Sequence, residues 1–121
     1  MSIKGRPQTW LERAIANGQL AVALGEASEL RPLDLNHALG VLCLLHEARD
    51  PRAPRAGARW AARLTLERPG VDVDALAALA AALQHAHTCP GGPRPVLREL
   101  AQRYELPVAG LLAQPQRSRP R

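Results

Sequence analysis

The chain contains no phenylalanine, one tyrosine (Tyr104), two tryptophans (Trp10 and Trp60) and one lysine, Lys4. With so few aromatic and β-branched side chains, a sheet is excluded as the main architecture. No run approaches the ~18 uninterrupted apolar residues of a membrane-spanning helix, so no membrane span is expected. Two cysteines, Cys43 and Cys89, are too few for a disulfide framework, and Met1 to Pro7 lacks the apolar centre of a signal peptide. The expected location is therefore cytoplasmic. A Gly-rich phosphate loop, a serine nucleophile elbow and an HExxH metal motif are all missing. The chain reads as non-enzymatic, with no cofactor.

What is present points to helices. Alanine and leucine, among the best helix formers, dominate an apolar fraction of 46%, and charged residues make up 22% of the 121 residues. That balance is globular, and the length suits one domain. The sequence predicts an all-α fold: a single compact domain of five to six short antiparallel helices, a helical-hairpin bundle, over residues 9–114. Residues 1–8 read as a flexible arm, and residues 115–121 as a disordered basic tail.

Gly and Pro cut the chain into these helices. Thr9-Trp10-Leu11-Glu12 fits a capping box, in which Glu12 reaches back to the cap. The first helix then stops at Asn17-Gly18, a left-handed terminator. A second helix runs from about Gln19 to Leu30, before Pro32, and Asp34 is placed to cap the third. That third helix, about Leu35 to Arg49, is apolar nearly all round, apart from a strip holding Asn36, Gly40, Cys43 and Glu47. Such a helix belongs in the middle of a bundle or at a homodimer interface, and the middle is favoured. Pro54 opens a fourth helix that ends near Pro69-Gly70. Asp72 or Asp74 caps a fifth, Cys89 to Pro95 forms a loop, and a last helix covers about Val96 to Glu105. A short Leu-rich turn follows Pro107.

Three resemblances bear on this layout. The segment from Leu11-Glu12-Arg13-Ala14 through Gly18 to Leu20 and Ala27 resembles the helical hairpin of tetratricopeptide repeats. Through LERA…NG, DLNHALGVLCLL and GARWAARL, the chain resembles small all-helical proteins of high-GC actinobacteria, whose codon usage also favours Arg over Lys. The stretch VLRELAQRYELPVAGLL resembles the helix-turn-helix of DNA-binding regulators: Leu100, Ala101, Tyr104, Leu106 and Leu111 match its apolar positions, and Glu105 stands where that family usually has Gly. This last resemblance implies a recognition helix after the turn.

The sharpest candidate site is a basic stripe. Arg52, Arg55, Arg59 and Arg63 fall within about 80° of one another on the fourth helix. Ala53, Gly57, Trp60 and Leu64 make a separate apolar stripe there. The leading expectation is a non-enzymatic interaction or regulatory module, with Arg52, Arg55, Arg59, Arg63 and Trp60 contacting a protein partner of acidic character. The bland reading of the same stripe is a solvated face, with Glu67 bridging Arg63. The alternative is a nucleic-acid-binding regulator using the segment 98–114 and Arg98, Arg103, Arg117 and Arg119, for which the net charge of +5 is permissive. Cys43, His46, His85, His87 and Cys89 have the chemistry of zinc ligands. His85 and His87 point about 160° apart on a helix, however, so no metal is expected and His46 reads as a satisfied core histidine.

Overall fold

A computed structural model describes residues 7–30 and 32–112. It contains seven helices: α1 (Pro7–Asn17), α2 (Leu20–Glu29), α3 (Leu35–Glu47), α4 (Ala53–Glu67), α5 (Val73–Thr88), α6 (Arg94–Arg103) and α7 (Ala109–Leu112). No strand occurs among the described residues. The all-α, single-domain bundle is as the sequence predicts. The additional helix, α7, is the Leu-rich turn after Pro107. Most of the arm (residues 1–6), the basic tail, Arg117 and Arg119 lie outside the described residues.

The helix ends follow local chemistry. Gly18, at φ +71°, closes α1 in the left-handed region, and the Gln19 amide donates to the Ala14 carbonyl at 2.9 Å. Asp34 caps α3, accepting from the His37 amide at 2.7 Å, and Asp72 caps α5, accepting from the Ala75 amide at 2.8 Å. The capping box is a correction. The first helix begins at Pro7, whose fixed φ suits a first helical turn, so Thr9 lies inside the helix. Glu12 does not serve as the returning arm of that box; its carboxylate binds His37 instead.

α3 is the axis of the bundle. It packs against α1, α2, α4 and α6, and ten of its thirteen residues are buried. Most of its apolar circumference is covered by these neighbours, which gives it the middle position the sequence favours. Even its less apolar strip is used: the Asn36 side chain accepts the Val108 amide at 2.6 Å, and Cys43 is fully buried. At Gly40, an added Cβ would stand 2.5 Å from Cδ1 of Ile15 and 3.1 Å from Cγ2 of Val108. A glycine there lets α1 and the segment before α7 reach the α3 backbone. Fully buried Leu11, Ile15, Leu39, Leu64, Leu79 and Leu97 supply the bulk that aromatics do not. Each contributes about 1.5–3 kcal/mol by leaving water.

Candidate functional site

α4 carries the arginine stripe, and the structure divides its members. The Arg52 guanidinium closes on Asp50 through two contacts of 2.8 and 2.9 Å, and those bonds hold the Asp50 carboxyl down to about 2. Arg63 donates to Glu67 at 2.9 Å, the i,i+4 bridge of the solvated-face reading, and to the Leu33 carbonyl at 2.6 Å. Both arginines are thus engaged within the fold. Arg55 and Arg59 are exposed, and neither has a hydrogen bond or ion pair among the described residues.

Trp60 is turned toward the core. It is 3% exposed, and its indole N–H donates to the Leu35 carbonyl at 2.9 Å, tying α4 to the start of α3. A side chain so enclosed is not a protruding anchor for a partner. The solvent-facing tryptophan is Trp10, 48% exposed with the Arg13 guanidinium 5.6 Å from its ring. Trp60 nevertheless lines a surface groove of about 230 Å³ between α3 and α4. Leu33, Ala38, Val41 and Leu45 form the apolar side of this groove, and Arg59 and Arg63 border it. Two members of the stripe, Arg59 and Arg63, therefore line a largely apolar groove, a relation that α4 periodicity alone does not show.

Around the helix-turn-helix segment, Arg98 and Arg103 are exposed on α6. Glu105 adopts φ +57°, the left-handed conformation a glycine would supply at that turn. The described residues of α7 are Ala109, Gly110, Leu111 and Leu112, with Leu112 buried. None carries a side-chain hydrogen-bonding group with which to read a base edge.

The five soft-ligand candidates separate. Cys43 is enclosed in the core, and burial pushes its thiol up to about 12, with Glu47 adding to the rise. His85 is exposed on the opposite side of α5 from His87, as their spacing predicts, and Cys89 is half-buried. Only His46 and His87 come together, Nδ1 to Nδ1 at 3.2 Å with rings edge to face. Among the described residues no group of three or more His, Cys, Asp and Glu is placed to hold a metal ion. His46 is not the satisfied core histidine of the sequence reading, because its buried Nε2 has no partner among the described residues.

One polar cluster lies outside the sequence-derived candidate sites. His37, buried at the start of α3, contacts Asp34 through Nδ1 at 2.8 Å and Glu12 through Nε2 at 2.7 Å. Burial opposes a charged ring, but the bonds to Glu12 and Asp34 outweigh it, and the net shift is upward from the ordinary histidine value. The i,i+3 spacing of Asp34 and His37 was a readable signal. The pairing with Glu12, 25 residues away, was not. Arg94 is similar: it grips Glu47 at 2.6 Å and the Ile15 carbonyl at 2.8 Å, locking α6 to α3 and α1. No helix is long and apolar enough to cross a membrane among the described residues. No family model, curated protein or solved structure matches the chain.

Proposed function

We propose that this domain is a non-enzymatic interaction module whose α3–α4 groove receives an acidic, amphipathic segment of a protein partner. One observation carries the reading: an apolar channel floored by Trp60 and walled by Val41 and Leu45 runs beside Arg59 and Arg63. Leucine-like side chains suit the channel, and carboxylates suit the arginines. Arg59 and neighbouring Arg55, without partners among the described residues, are available for this contact, whereas Arg63 lines the groove while bonded to Glu67 and the Leu33 carbonyl, and Arg52, paired with Asp50, does not line it. Trp60, held by its bond to the Leu35 carbonyl, is a fixed part of the groove lining.

The nucleic-acid alternative draws less support. Its second helix presents only Ala, Gly and Leu among the described residues, and Arg98 and Arg103 lie on the helix before the turn.

The test is a titration with a short helical peptide bearing leucines on one face and glutamates on the other. Arg59→Glu is expected to weaken binding about tenfold or more, as reversal of a partly desolvated charge should. Arg98→Glu, a surface reversal away from the groove, should leave it within about twofold. Equal losses in the two variants would show that net charge alone attracts the peptide, and the groove assignment would fall.

A further inference from the structure

The other flank of α4 holds a second cavity, of about 340 Å³, between α4 and α5. Ala53, Gly57 and Ala61 of α4 face Ala80 and Leu83 of α5 across it. These small side chains leave the space open, and its volume falls at the lower end of the roughly 300–1,000 Å³ typical of small-molecule sites. Its polar end is made by His46, His87 and Gln84. His46 is 5% exposed, its Nδ1 meets that of His87 at 3.2 Å, and its buried Nε2 has no partner among the described residues. A buried ring left half-satisfied beside a cavity calls for an explanation.

We propose that this cavity binds a small weak acid with an apolar body, an alkyl- or aryl-carboxylic acid, whose head group sits on the His46–His87 pair. Sign selects the class. No carboxylate lines the cavity, so a cationic ligand would meet two imidazoles and no counter-charge. In the neutral pair one ring donates from Nδ1 and the other accepts there, so the accepting ring carries its own proton on Nε2. Burial and the neighbouring His87 both disfavour charge on His46. A carboxylate supplies the counter-charge that an additional proton on the pair needs, and its two oxygens accept whatever N–H is offered. A metal centre fits less well. The described residues provide no third ligand, and His46 Nε2 lacks the acceptor that normally orients a ligating imidazole. This cavity is separate from the α3–α4 groove, and neither reading depends on the other.

The experiment follows the ring signals of the four histidines by NMR while phenylacetate, and separately its neutral amide phenylacetamide, is added to the full chain. Saturable shifts of His46 and His87 in the millimolar range are expected with the acid, with His37 and His85 unmoved. The amide should bind about tenfold more weakly, since the charge-assisted bond is lost. His87→Leu should weaken the acid by a similar factor while the His37 signal reports an intact fold. Absence of saturation, equal binding of acid and amide, or an undiminished response in His87→Leu would each overturn the proposal. So would saturation of the pair by micromolar Zn²⁺ that excludes the acid.

Discussion

Replacing His37 by leucine removes one ring and two charge-assisted hydrogen bonds, and its consequence depends on pH in a defined direction. The contacts are short, 2.7 Å to Glu12 and 2.8 Å to Asp34, and the ring is nearly enclosed. The carboxylates are about half exposed, at 44% and 57%, so solvent screens both pairs. Hydrogen bonds to charged groups contribute about 1.5–3 kcal/mol when buried, and exposed ion pairs about 0.2–1 kcal/mol. An intermediate value near 1 kcal/mol for each gives a loss of about 2 kcal/mol, or a fall in Tm of about 8 °C for a domain of 121 residues. Because the folded pKa of His37 is raised, this stabilisation is fully present below the unfolded value of about 6.5. It is lost as pH rises through the folded pKa, because a neutral ring donates to one carboxylate and turns a lone pair to the other. Urea denaturation of wild type and His37→Leu at pH values of about 5.5, 7 and 8.5 reads the difference, because every other group is common to the two chains and cancels. The gap should be widest at the lowest pH. A gap constant with pH, or one that widens upward, would refute the charged-ring assignment.

Other perturbations follow from the same geometry. Asp72→Ala, which removes the cap of α5, should cost about 1 kcal/mol by the same denaturation assay, and Asp72→Asn much less. Gly40→Ala improves helix propensity by about 1 kcal/mol but forces a methyl against Ile15 and Val108, at a cost of about 1–3 kcal/mol. Net destabilisation is expected, relieved when Ile15 is also shortened to Val. With its thiol pushed up to about 12, Cys43 should react with a thiol reagent only as the chain unfolds, whereas half-buried Cys89 should react in the folded state.

The parts of this fold that sequence shows are those decided within a turn or two. Asp34 and Asp72 cap helices because their oxygens reach amides three residues on, and Arg63 finds Glu67 four residues on. Gly18 stops α1 because its backbone tolerates φ +71°. The central place of α3 follows from leucines all round it, which only a bundle interior can hide. The start of α1 was misread because two valid start signals compete: the proline at position 7 prevails over the Thr9 box, and Glu12 is drawn to His37. What sequence does not show is long-range. The stripe on α4 was visible, but the groove beside it needs Val41 and Leu45 from α3, and the inward turn of Trp60 depends on the Leu35 carbonyl. His46 meets His87 across 41 residues, a contact that helix spacing within α3 or α5 does not encode.

The central claim is that the arginine-bordered groove is a protein-binding surface, and it is tested most directly by mapping backbone amide shifts in two parallel titrations. One uses the leucine–glutamate helical peptide and the other mixed-sequence duplex DNA, both at about 50 mM salt and again at about 300 mM. The account predicts saturable shifts at Val41, Leu45, Ala56 and Trp60 with the peptide, only modestly weakened by salt because apolar contacts remain. With DNA it predicts no saturation. Tighter binding of DNA, with a steep salt dependence and shifts centred on α6 and α7, would contradict it.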